Sequence, residues 1–312
     1  MDMRQLRYFV QIVECGSLTK ASRQLLIAQP ALSQQMARLE DEIGKPLLVR
    51  SVRGVVPTPN GDALYHHAKF MLRQLDDAVV IARQDHASVR GRVTLGLPPT
   101  TVHTVGLPIL RHIRRRYPNI TLNIVEALST PLEDMARLGQ VDLALLIRQS
   151  ATSDLHFEPV LEEGLYVILP SDSTLVAPEK TSLTLAEVAS LPLLLPSSNP
   201  SHSLRRKIFQ AFEHAQLKPN IITEVDSLIL LLKLIAEGDG VTIRTMAASR
   251  VLYTADHWRC LSISDANMTL THYLFAPPQE RLLACTSIVR TELRDVVRQL
   301  VHTGEWPGTW LV

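Results

Sequence analysis

"AQPALSQQMARLEDEIGKPLLVRSVRG", residues 28–54, decides how the first part of the chain folds. Leu32, Met36, Leu39 and Ile43 recur every three or four residues, the period of a helix with one apolar face. Pro30 suits the first turn of that helix, where the N–H it lacks would have no intrahelical acceptor anyway. Gln29, Ser33, Gln34 and Arg38 then fall near the opposite, exposed face. Amides and a hydroxyl at the front of a helix suit the DNA major groove, where Gln can bond bidentately to adenine and Ser can meet base or phosphate. The turn from Val49 to Pro57 follows with Arg50 and Arg53 beside Gly54. That composition fits a hairpin wing whose cations meet phosphates or a narrow minor groove. A Gln-rich face alone is ordinary solvated surface, so the groove reading depends on the elements around it.

Upstream, Leu6, Phe9, Val10 and Val13 share one face of a helix ended near Cys15 and Gly16. Ser17 can cap a second, short helix that offers Leu18, Ala21 and Leu25 to a core. Two helices, a proline-led third and a basic hairpin make a winged helix-turn-helix over residues 1–60. The stretches "LRYFVQIVECGSLTKASRQL", "AQPALSQQMARLEDEIGKPLLVR" and "RGVVPTPNG" resemble that domain of LysR-type transcriptional regulators, without a gap over the first sixty residues. "RQLRYFVQIVE", "IAQPALSQQ" and "LGLPPTT" look most like the family's nitrogen assimilation control subgroup, a kinship that would make a coinducer dispensable. The family often has Ser or Thr where this chain has Ala28. Losing such a cap costs about 0.5–2 kcal/mol, so the resemblance implies that anchoring there is weaker or taken over by a neighbour.

From Asn60 to Arg90 the pattern is one long helix, taken as a linker over residues 61–90. Leu64, Ala68, Met71, Leu75, Ala78 and Ala82 alternate spacings of four and three, a period near 3.5 that makes a narrow apolar stripe. Such a stripe wants a partner helix, from a second copy or from the protein's own body. Dimerisation is favoured because two heads on a twofold axis match a palindromic site. The resemblance implies a dimerising role for this helix, and tetramers.

Residues 91–312 read as α/β. Apolar strands are expected at Arg92–Leu97, Ile120–Val125, Val141–Ile147, Tyr166–Leu169, Leu193–Leu195 and Ile221–Val225, with helices between most of them, implying a parallel sheet covered on both faces. Joins near 160–164 and 265–270 make two lobes, one of about 91–163 and 268–312, the other of about 164–267. The strand Thr269–Phe275 and the helix Arg281–Leu300 return the chain to the first lobe. The arrangement resembles the two-lobed, periplasmic-binding-protein-like effector domain of the same family.

In such folds ligands bind beyond the carboxyl ends of the strands. "PPTT", "ALST" and "PSSNPSHS" follow three of them, placing Thr100, Thr101, Ser129, Thr130, Ser197, Ser198 and His202 near helix starts, where hydroxyls and free N–H groups can hold a carboxylate. Singly, each is more readily a helix cap. The resemblance implies that these loops line an inducer cleft, hence a small, anionic effector. In "GDGVTIRTMAA", Arg244 and Thr245 stand where the family commonly shows Leu-Pro. Arg244 is either a clamp for an anionic ligand or a surface charge, the second being the simpler reading.

Composition narrows the function further. The net charge is +1, but residues 1–91 hold twelve Lys plus Arg against nine Asp plus Glu, a small excess that permits a nucleic-acid partner. No apolar run spans a membrane and the first residues do not read as a secretory leader, so the protein is expected in the cytoplasm, with no membrane partner. Cys15, Cys260 and Cys285 lack metal or disulfide spacing, and no metal or cofactor is expected. No P-loop, G-x-S-x-G or HExxH occurs. His66 and His67 are taken as solvated positions. The aromatic tail "EWPGTWLV" folds back on its lobe, the favoured reading, or docks on a neighbouring subunit. The expected function is a homo-oligomeric DNA-binding regulator, not an enzyme, that binds promoter half-sites of double-stranded DNA under a small effector. The rival is a ligand-binding or enzymatic α/β protein whose first domain serves only assembly.

Overall fold

The computed structural model describes residues 1–51, 54–83, 89–148, 155–197, 203–278 and 282–312, and α4 side chains through Lys69 and at Met71, Leu72 and Leu75. The chain divides into two compact units, Met1–Ser88 with Leu138–Gln140, and Val89–Arg137 with Val141–Val312.

The first unit runs α1 (Met3–Cys15), α2 (Leu18–Leu25), α3 (Gln29–Ile43), the antiparallel pair β1 (Leu48–Ser51) and β2 (Gly54–Pro57), and α4 (Pro59–Arg83). Asp2 caps α1 in a capping box with Gln5, and Ser17 caps α2 through the Lys20 N–H. Phe9, Ile12, Ala21, Leu32, Met36, Leu39, Leu47, Leu48 and Val55 form the core. The stripe of α1 is turned slightly from the expected one. Ile12 is buried with Leu6 and Phe9, while Val10 and Val13 are only half-buried. Leu64 and Tyr65 of α4 pack on this core, so the front of the long apolar stripe is partly used by the protein's own body. Ala78 and Ala82 lie outside the described side chains.

The second unit begins with β3 (Gly91–Leu97), the short α5 (Pro99–Thr101), a π-turn at Val102–Gly106, α6 (Leu107–Arg116), β4 (Ile120–Glu126), α7 (Ser129–Arg137) and β5 (Leu143–Arg148). It continues through β6 (Phe157–Pro170), β7 (Ser182–Leu183), α8 (Leu185–Ser190), β8 (Leu193–Leu195), α9 (Ser203–His214), β9 (Ile221–Glu224) and α10 (Leu228–Ala236). Last come β10 (Thr242–Thr245), α11 (Met246–Ser249), β11 (Trp258–Ile263), β12 (Thr269–Phe275), α12 (Ala284–His302) and β13 (Thr309–Leu311).

Only part of the sheet is parallel. β3 pairs in parallel with β4 and β5, but β12 runs antiparallel to β5 and β6, and β10, β11 and β13 run antiparallel to β6. The main correction is β6, fourteen residues long where a four-residue strand was expected. Glu162, Glu163 and Gly164 interrupt its apolar pattern and read as a break. The strand continues because both acids have partners. Trp310 Nε1 donates to Glu162 at 3.1 Å, while Glu163 accepts from Trp306 Nε1 at 3.1 Å and faces His272 Nε2 at 2.8 Å. The front of β6 pairs with β12, its back with β10 and β11, so these antiparallel strands carry the sheet from one lobe to the other. One core gathers Val93, Leu95, Ile109, Leu145, Val289 and Trp306, and another gathers Leu165, Val167, Leu193, Ile208, Ile243 and Leu261. The aromatic tail folds back within this unit, with Trp306 buried and β13 on β6.

Candidate nucleic-acid interface and effector cleft

Ala28 is the N-cap of α3 and supplies no side-chain bond to the helix, and Pro30 sits in the first turn. Gln29, Pro30, Gln34 and Arg38 are exposed and Ser33 half-buried; Pro30, Gln34 and Arg38 form a row opposite Leu32, Met36 and Leu39, whereas Gln29 and Ser33 lie at the flank of the buried stripe at the front of the helix. Two contacts organise this face. Thr19 Oγ1 donates to Gln29 Oε1 at 3.1 Å, and Arg50 Nη1 donates to Ser33 Oγ at 2.9 Å. Thr19 escaped the sequence reading because nothing in linear spacing joins the first turn of α2 to the start of α3.

The wing is fixed at its root. Glu40 Oε1 accepts from the N–H groups of Leu47 and Leu48, at 2.7 and 3.0 Å, steering the chain from α3 into β1. Val55 N–H donates to Gly16 O at 2.9 Å, and Gly54, at φ +128°, lies so close that a Cβ there would stand 2.6 Å from that carbonyl. Arg53 lies outside the described residues, as do Ser198 and His202.

In the second unit a small cavity of about 90 Å³ is lined by Thr100, Ser129, Ser203, Asp226, Arg244 and Thr245, with Pro98, Leu128, Ile147 and Leu270 among its apolar walls. Ser129 and Ser203 begin α7 and α9, and Leu228 at the start of α10 also lines it, so helix N-termini gather here. Of the expected residues, Thr100 and Ser129 reach the cavity. Ser129 Oγ also accepts from the Ile147 N–H at 3.1 Å. Thr101 is fully buried beside it, its hydroxyl without a partner among the described residues. Ser197 does not line the cavity. It donates to Asp226 through both N–H and Oγ, each at 2.8 Å, and so positions a carboxylate that does.

Arg244 overturns its surface reading. It stands on β10 opposite Tyr166 of β6 and lines the cavity, with Nε buried and unpartnered among the described residues. Burial pulls its guanidinium down to about 10, against the raising influence of Asp226, so it keeps its charge at neutral pH. Sequence left the clamp as the second choice because an isolated Arg in an apolar strand looks the same whether it points outward or inward. A larger groove of about 480 Å³, between α6 and α12, is lined by Arg111, His112, Arg115 and Arg116 and lies away from these helix N-termini. Among the described residues no group of three or more His, Cys, Asp or Glu is placed to hold a metal, and no helix is long and apolar enough to cross a membrane.

The model for the bacterial regulatory helix-turn-helix protein, lysR family, matches residues 3–62, and that for the LysR substrate binding domain matches residues 86–298. The chain belongs to the LysR family of DNA-binding transcriptional regulators. This LysR-type chain is 37% identical over 272 residues to the nitrogen assimilation regulatory protein nac of Klebsiella aerogenes, covering 87% of each. It is 33% identical over 298 residues to the protein of that name from Escherichia coli, covering 95% of each. It shares its fold with a full-length OxyR variant of Pseudomonas aeruginosa, at TM-score 0.73 and 23% identity over 96% of this chain and 95% of that one. A second match is CbnR complexed with its target DNA, at TM-score 0.68 and 19% identity over 95% of this chain and 100% of that one. Family membership sets aside the rival reading of an enzyme with an assembly module.

Proposed function

We propose that this LysR-type regulator reads promoter half-sites as a homo-oligomer and that a small anionic effector in the cleft of its second unit changes the spacing of its DNA-reading heads. Residues 1–60 are the reading head, 61–90 the dimerising helix and 91–312 the effector domain, with lobes of about 91–163 plus 268–312 and 164–267. Gln29 and Gln34 read bases, Ser33 and Arg38 meet base edge or phosphate, Pro30 presets the helix start, and Arg50 and Arg53 hold the backbone. The observation that carries this is the exposed face of α3, tied to the wing by the bond from Arg50 to Ser33. The apolar stripe of α4 supports dimerisation, and the family resemblance supports tetramers.

Thr100, Thr101, Ser129, Ser197, Ser198 and His202 form or back the effector cleft. Differential affinity of the ligand for two lobe or tetramer geometries is what would shift the heads. The chain works in the cytoplasm, where its operators lie. The relatives named for nitrogen assimilation direct the search for operators to promoters of that metabolism. Footprinting the full chain on its own upstream region at two salt concentrations tests the proposal. Salt-sensitive protection of two or more half-sites is expected, and sequence-indifferent binding refutes it.

A further inference from the structure

The cavity pairs opposite charges at different depths. Arg244 Nε is buried and has no partner among the described residues, whereas Asp226 is exposed and lines the same cavity, its two oxygens positioned by Ser197. An anion bound to Arg244 would meet the Asp226 carboxylate at the mouth. A cation drawn to Asp226 would meet the guanidinium inside. A ligand carrying both charges meets a complementary charge at each end, with its carboxylate inward on Arg244 and its ammonium outward at Asp226. Hydroxyls of Thr100 and Ser129 and the N-termini of α7 and α9 also line the cavity and add donors for the negative end. The apolar walls leave room for a short aliphatic substituent, and about 90 Å³ is far below the size of a drug-sized pocket. We infer that the cleft is selective for a compact zwitterion, an α-amino acid of the size of glycine, alanine or serine. This rests on the cleft being an effector site and replaces a simple anion by a zwitterion as its ligand.

Thermal-shift and calorimetric titrations of the full chain with glycine, L-alanine and L-serine test the inference beside two controls. L-Lactate keeps the carboxylate of L-alanine without its ammonium, and L-alaninamide keeps the ammonium without the carboxylate. At least one of the three amino acids is expected to raise the melting temperature, and both controls to bind about tenfold more weakly or worse, the loss for one charge-assisted contact. Asp226→Asn is expected to bring the amino acid down to the level of lactate. Arg244→Gln should abolish binding of both, and Arg244→Lys, which keeps the charge, should restore part of it. If lactate binds as tightly as L-alanine and depends on Arg244, the zwitterion is refuted while the anionic cleft survives. If neither the amino acids nor lactate bind, both fall.

Discussion

Replacing Glu163 by Ala removes the group that lets β6 run through its polar middle. Glu163 is 1% exposed, accepts from the Trp306 indole at 3.1 Å and faces His272 Nε2 at 2.8 Å, while His272 is itself fully buried. His272 Nδ1 has no partner among the described residues, so the tautomer that suits the site carries its proton on Nε2 and donates to Glu163. Removal of the carboxylate strands two donors in a dry interior. Each unsatisfied donor costs about 1–3 kcal/mol, so two cost about 2–6 kcal/mol. For a unit of this size about 1 kcal/mol moves the melting temperature by roughly 2–4 °C, so Glu163→Ala should lower it by roughly 4–24 °C. Glu163→Gln keeps a carbonyl acceptor for Trp306 and should lose less than half as much. Urea unfolding of the wild type, both variants, Trp306→Phe and the double variant Glu163→Ala with Trp306→Phe measures these losses and the coupling between the two positions, expected at about 1 kcal/mol or more. Glu163→Ala within about 0.5 kcal/mol of wild type, the scatter of a neutral substitution, would refute the reasoning.

Gln34→Ala should cost about 1–3 kcal/mol of discrimination at one base position, whereas Arg53→Ala should weaken binding to all sequences and lower the salt slope by about one; competition gel shifts against operator variants separate the two. Leu26 closes α2 at φ 55° and is 93% exposed, so Leu26→Gly should relieve left-handed strain of about 1 kcal/mol, read as a raised melting temperature. Burial works against ionisation of Glu292, but hydrogen bonds from Tyr117 and His112 and the charge of Arg116 overcome it and hold its carboxyl below the ordinary range. A depressed carboxyl contributes stability in full above its unfolded pKa and loses it as pH falls through the folded value. Stability measured from pH 7 to pH 3 should therefore fall less steeply in Glu292→Gln than in the wild type.

Much of the first unit was legible because its signals are local. Helical period, the caps at Ser17 and Gly16, Pro30 at a helix start and a glycine-bearing basic turn each act within a few residues, and the exposed face of α3 follows from its buried one. The strands β3, β4, β8 and β12 were legible for the same reason, as short apolar runs bounded by polar turns. The helix starts at Thr100 and Ser129 could likewise be placed beside a cleft, since a helix that follows a parallel strand begins at that strand's carboxyl end.

The sequence by itself determined the family, the order of the domains and the face α3 turns outward, since each depends on period and on neighbours close along the chain. Tertiary structure alone decided that Glu163 lies inside a continuous strand, that Arg244 points into a cavity and that Ser197 holds Asp226 instead of lining the cleft. The physical reason is that a charged side chain can be buried only where its partners or a ligand compensate it. Those partners, Trp306 and His272 for Glu163, come from residues more than a hundred positions away.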